Sequence, residues 1–230
     1  MENEMQNKIK RDRTLAASIL VSVVILSGAW IYTTGQKNTD QNQSNIHVAS
    51  EKELSIALEE RVLPSEGVTL PVSWGDLGVK LVGVGAIDED RFKAMYEQRG
   101  DFNSEYDKLL SGHNDNNLKI TKENSGYLLN LFWALGLASK NEILENGEMM
   151  NPAYGGAGNF ASTGGWTLAK GDAMDHYSKH TFFNLTSEQQ AMVDKVSHGI
   201  YRPCCGNATH FPDCNHGMAM LGLLQLMASQ

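Results

Sequence analysis

The residues best equipped for chemistry crowd into one stretch, Tyr201-Arg-Pro-Cys-Cys-Gly-Asn-Ala-Thr-His-Phe-Pro-Asp-Cys-Asn-His-Gly-Met-Ala-Met220. All 3 cysteines of the chain stand here, Cys204, Cys205 and Cys214, together with His210, His216, Met218 and Met220. An odd number of clustered cysteines is a site pattern rather than a disulfide framework. Pro203 and Gly206 bracket the vicinal pair in a tight turn, and Pro212 closes the loop ahead of an apolar helix. Cys214 then falls at a helix start, where unpaired backbone N–H groups favour a thiolate. From there Cys214 and Met218, or His216 and Met220, are pairs four residues apart on one face.

Three sulfurs and an imidazole suit tetrahedral zinc, and nearby thioethers would suit Cu(I). The expected ligands are Cys204, Cys205, Cys214 and His216, with His210, Met218 and His198 as replacements, and the expected metal is copper or zinc. Two other readings use the same residues. In one, Cys214 is the attacking thiolate of a thiol–disulfide or sulfur-transfer catalyst, with Cys204 or Cys205 as its resolving partner. In the other, a Cys205–Cys214 disulfide staples the last helix and contributes about 2 to 3 kcal/mol, while Met218 and Met220 simply fill the core. A weaker constellation is His176 and His180, four apart and close to Asp172 and Asp175. On a helix these imidazoles would share a face, although Tyr177 stands where a zincin would carry glutamate. No Gly-x-Ser-x-Gly occurs, and whether the chain is an enzyme stays open.

The turn Pro203-Cys204-Cys205-Gly206, followed by His210 and Asp213-Cys214, resembles a compressed Pro-Cys-Tyr-Cys-Gly-Cys segment of the PCYCGC-motif lipoproteins. The likeness is confined to residues 203–214, lacks the intervening Tyr and one Cys, and implies an exported cysteine-based site.

These residues need helices to position them. Leu54, Ala57, Leu58 and Val62 keep a helical spacing up to Pro64. Asp76 opens a helix or short strand, Asp88 caps another helix, and residues 105–110 add a short one. Tyr127, Leu128, Leu131, Phe132 and Leu135 define a helix over about 122–139. Thr186 or Ser187 with Gln189 or Gln190 forms a capping box before Met192 and Val193. The helix after Asn215 is apolar on every side and therefore buried. Between these lies an irregular glycine-rich stretch, residues 146–175, whose Tyr154, Phe160 and Trp166 favour an ordered loop. It has no Gly-Lys-Ser/Thr to hold a phosphate. Alternating strand patterns are scarce, so the expected fold is mainly α.

At the other end, residues 14–36 carry no charge, and the run, apolar over Leu15–Tyr32, is long enough to span a bilayer core, which requires roughly 20 apolar residues. Lys8, Lys10, Arg11 and Arg13 precede the run, while only Lys37 follows it before Ser50. The positive-inside rule then keeps residues 1–13 cytoplasmic and exports the rest, periplasmic or at the cell surface. A cleaved signal peptide ending near Ser27-Gly28-Ala29 is the alternative. The expected organisation is a basic segment (1–13), a transmembrane helix (14–36), a polar linker (37–50) and a helical domain (51–230) with its Cys/His site at 198–220. The bilayer, through residues 14–36, and a membrane neighbour are the expected partners. Of 19 basic and 27 acidic residues, four and three lie in the first thirteen, leaving 15 against 24, or about −9. Such a balance argues against nucleic acid.

Overall fold

The computed structural model describes residues 50–230. Residues 50–62 form a helix, α1, and Leu63–Gln230 make up a separate compact unit. The helical spacing read from Leu54 and Leu58 holds in α1, but Leu54, Ile56, Leu58 and Val62 are all exposed.

The second unit begins with β1 (Val68–Gly75), followed by α2 (Leu77–Gly83), α3 (Glu89–Glu97) and α4 (Ser104–Ser111), and then β2 (Asn114–Ile120). The two strands pair antiparallel, with Val68 opposite Ile120 and Gly75 opposite Asn114. Register shifts flank Ser73, so the strand accommodates Pro71, which has no N–H to give a ladder. Val72 and Trp74 face inward with Leu118, and the Trp74 indole N–H donates to the Leu109 carbonyl at 2.7 Å.

Helix starts follow local chemistry. Asp88 accepts from the Arg91 amide, Asn103 from those of Glu105 and Tyr106, and Asn141 from that of Ile143 at the head of α6 (Glu142–Asn146). Each satisfies donors that a first helical turn leaves unpaired. Helix α7 (Ser187–Gly199) opens with the expected capping box, Thr186 with Gln189.

The centre of the unit is the pair α5 (Ser125–Ala138) and α8 (Asn215–Ser229). They run antiparallel and nearly touch. A Cβ on Gly136 would lie 1.9 Å from the Met218 carbonyl oxygen, and one on Gly222 would lie 2.5 Å from that of Phe132. Only hydrogen fits at either point. Leu128, Leu131, Leu135, Met218, Leu221 and Leu226 close the seam, all under 3% exposed, which is the burial expected of helices apolar all round.

The expectation of a mainly α chain held by a transmembrane helix is corrected in two respects. No described helix is long and apolar enough to cross a membrane. The two most apolar, α5 and α8, have 14 and 15 residues, or roughly 21 to 23 Å at 1.5 Å each against a core of about 30 Å. The run 14–36 assigned to that role, with the segments 1–13 and 37–49, lies outside the described residues. Secondly, the helices are accompanied by two small antiparallel sheets, β1–β2 and the hairpin β3 (Tyr201–Arg202) with β4 (Asn207–Ala208). Helical periodicity could not reveal β2, whose sequence Asn-Asp-Asn-Asn-Leu-Lys-Ile buries only Leu118.

The glycine-rich stretch is ordered, as its aromatics suggested. It runs through short 3-10 turns at Glu148–Met150, Pro152–Tyr154, Ala157–Asn159 and Ala173–Asp175. Indole N–H groups pin it: Trp166 donates to the Ala86 carbonyl at 2.9 Å, and Trp133 of α5 donates to that of Ser162 at 2.6 Å. The Ser162 amide in turn donates to the Asp213 carbonyl at 3.1 Å. The loop thereby rests against the cysteine segment.

Candidate functional site

Residues 203–206 are the loop of the β3–β4 hairpin, so the vicinal cysteines sit at a hairpin tip. The amides of Cys205 and Gly206 both donate to the Arg202 carbonyl, at 3.1 and 2.9 Å. Gly206 takes φ +70°, a left-handed conformation that glycine adopts without strain. The chain returns through Phe211 and Pro212 to Cys214, the N-cap residue of α8.

This closure brings Cys205 and Cys214 together, with their Sγ atoms 3.2 Å apart, and places Cys204 Sγ 3.5 Å from Cys205 Sγ. All three are free thiols; Cys204 is exposed and the others are half-buried. The three sulfurs thus form a short chain running from solvent to the helix start. The disulfide considered between Cys205 and Cys214 is not formed.

The organising residue is Arg202, which the sequence reading passed over. Its side chain is only 7% exposed. One terminal nitrogen, Nη1, donates to Cys214 Sγ at 2.7 Å, while Nη2 reaches Asp213 Oδ1 at 3.0 Å and the Ala208 carbonyl at 3.1 Å. Nη2 also donates to Asn207 Oδ1 and to the Phe211 carbonyl. Asn207 completes the ring by donating to Asp213 Oδ2 at 2.9 Å. The guanidinium packs closely against the first turn of α8: a Cβ on Gly217 would come within 2.6 Å of Nη1. The available signal was local, an Arg two residues before the cysteines and a Gly just past them.

Cys214 Sγ is the acceptor of two donors, the guanidinium and the Cys205 thiol. That bond to Cys214, followed by burial and by the Cys204 thiol, pushes the Cys205 thiol up to about 12. Cys205 is therefore a proton-bearing thiol, and the sulfur toward which positive charge is directed is that of Cys214.

The remaining expected ligands are dispersed. The ligand atoms of Cys205, Asp213 and Cys214 lie within 4.8 Å of one another, and neither Cys204 nor His216 belongs to that group. His216 is exposed, one position past the N-terminal residue of α8. Met218 is 0% exposed and packs in the core at the α5 contact. His210 and His198 stack on each other, ring centroids 3.6 Å apart, beside Asp194.

His176 and His180 do meet, though not on a helix. The backbone turns after the 3-10 segment at Ala173–Asp175, with Ser178 at φ +52°. His176 Nε2–H donates to the Lys170 carbonyl at 2.9 Å, which leaves Nδ1 to accept from His180 Nε2–H at 3.2 Å. Both nitrogens of the buried His176 are thus engaged in holding the loop.

Comparison of the chain with family models, with curated proteins and with solved structures finds no match in any of the three. The functional reading therefore rests on the chemistry of this chain alone.

Proposed function

We propose that the protein is a thiol–disulfide exchange catalyst whose working pair is Cys214 and Cys205. The observation that carries this reading is the convergence of the buried Arg202 guanidinium and the Cys205 thiol on Cys214 Sγ, at 2.7 and 3.2 Å. A positive neighbour and a helix N-terminus are what make a cysteine nucleophilic. Cys214 Sγ attacks one sulfur of a substrate disulfide, forming a mixed disulfide and releasing the first substrate thiolate. Cys205 then attacks Cys214 Sγ; its proton passes to the leaving second substrate sulfur. The substrate disulfide gains two electrons and the pair becomes a Cys205–Cys214 disulfide. The reverse sequence oxidises a dithiol substrate.

One observation favours a second reading, a soft-metal site for copper or zinc. The sulfurs of Cys205 and Cys214 and a carboxylate oxygen of Asp213 share one neighbourhood, a donor set of the right kind. Against it, Arg202 places its charge on two of those three ligands and would oppose an incoming cation.

A single preparation separates the two. Full-chain protein purified under reductant is assayed for bound copper and zinc, then equilibrated in glutathione buffers of graded potential and alkylated for mass analysis. Exchange chemistry requires cysteines that carry no metal, so that any bound ion is unaffected by Cys214→Ser, and a Cys205 and Cys214 that oxidise together at one midpoint. A stoichiometric soft metal lost on Cys214→Ser, or thiols that never pair across the series, would overturn the proposal.

A further inference from the structure

Helix α7 carries Asp194 and His198 four residues apart, hence on one face. His210, from the loop after β4, is folded onto that face by its own backbone, whose amide donates to the Ser197 carbonyl at 3.1 Å. His210 Nε2 comes within 3.0 Å of Asp194 Oδ1. Adjacent tetrahedral ligands on bonds of about 2.1 Å stand roughly 3.4 Å apart, so these two atoms need separate by only a few tenths of an ångström to flank an ion. One ligand atom from each of the three residues lies within 4.8 Å of the other two.

His198 adds an independent indication. Its Nδ1–H donates to the Asp194 carbonyl at 2.9 Å, which fixes the tautomer and puts the lone pair on Nε2. A ring nitrogen tied to a carbonyl leaves the other free to ligate; the tethered Nδ1 is the one 3.8 Å from Asp194 Oδ2, so the side chain must rotate to bring Nε2 onto an ion. Asp194 and His210 also line a pocket of about 630 Å³, whose other walls include Glu142, Asn146, Ser187 and Gln190.

We infer that Asp194, His198 and His210 bind one divalent first-row transition ion, zinc or a close substitute, with its open coordination positions facing this polar pocket. The site shares no residue with the thiol pair and differs from it in kind. Two imidazoles and a carboxylate suit borderline ions, and three protein ligands leave room for water or a polar small molecule, as in catalytic rather than structural zinc centres. Entry of the ion takes the place of the hydrogen bond between His210 Nε2 and Asp194 Oδ1, the neutral imidazole then carrying its hydrogen on Nδ1. Glu142 is the pocket's second carboxylate, beyond the ligand set.

The test uses the full chain with Cys204, Cys205 and Cys214 all changed to Ser, so that no sulfur can contribute. Zn²⁺ is titrated calorimetrically, and Co²⁺ is followed by its visible bands. One ion per chain is expected, with a cobalt spectrum free of sulfur charge-transfer absorption, and each of Asp194→Asn, His198→Gln and His210→Gln should weaken binding at least about tenfold. His198 and Asp194 side chains are more than half exposed, so their substitution spares the packing. No uptake by the cysteine-free chain, or uptake that Asp194→Asn and His198→Gln leave unchanged, would overturn the inference without bearing on the thiol chemistry.

Discussion

Arg202 and the three sulfurs illustrate how much a single buried charge can set. A buried guanidinium must be compensated, and here Asp213, two backbone carbonyls, Asn207 and Cys214 do so together. Cys214 is consequently part of the structural solution for Arg202 as well as the proposed nucleophile. Cys205, by contrast, is held as a thiol by its bond to Cys214 and by burial, its pKa pushed up to about 12. Alkylation needs the thiolate, so below pH 9 Cys205 should be the slowest of the three cysteines to react with iodoacetamide. Changing Cys214 to Ala removes the largest cause and should speed its labelling. Site-resolved mass spectrometry over a time course measures both; equal rates at all three positions in the unaltered chain would contradict this account.

At the scale of elements, the close approach of α5 and α8 is the most demanding contact. The methyl group of Gly136→Ala would sit 1.9 Å from the Met218 carbonyl oxygen, and backbone cannot rotate away as a side chain can. Overpacking a core costs about 1 to 3 kcal/mol and occasionally more, and this substitution belongs at or above the upper end, read as a lower denaturation midpoint in urea. Gly126→Ala on the same helix meets nothing within 4 Å and serves as the control, which should hold or raise the midpoint. Much of this level was legible in the sequence. The capping box at Thr186 and Gln189, the Asp88 cap, and the helix after Asn215 are local patterns, and the structure keeps them. What was not legible is tertiary. Nothing in the spacing of His210 and His216 says that the first folds onto α7 and the second faces solvent, whereas the burial of Met218 was already legible in a helix apolar on every side. The hairpin tip was readable from Pro203 and Gly206; the guanidinium it encloses was not. Likewise, β1 has an inward alternation at Leu70, Val72 and Trp74, but a polar partner strand and an internal proline conceal it.

For the molecule as a whole, pH enters through the loop that His176 and His180 hold in place. Burial, reinforced by the neighbouring His176, lowers the His180 pKa from the ordinary 6.5. The unfolded chain then binds a proton more readily than the folded one. The stabilisation is fully present above the ordinary value and is lost as pH falls below it and through the depressed value in the folded state. Between about pH 7.5 and 5.5, where histidines rather than carboxylates titrate, the melting temperature of the unaltered protein should fall more than that of His180→Asn. Parallel declines in the two proteins would show that His180 does not contribute.

The glycine contact between α5 and α8 also bears on how quickly the protein reaches this state. Gly136 and Met218 meet across a chain separation that contains α6, the whole glycine-rich loop, α7 and the hairpin. The entropy of closing so long a loop must be met before any packing is gained, and chains dominated by distant contacts fold slowly whatever their helix content. Although its secondary structure is mostly helical, this domain should therefore refold more slowly than a bundle of neighbouring helices.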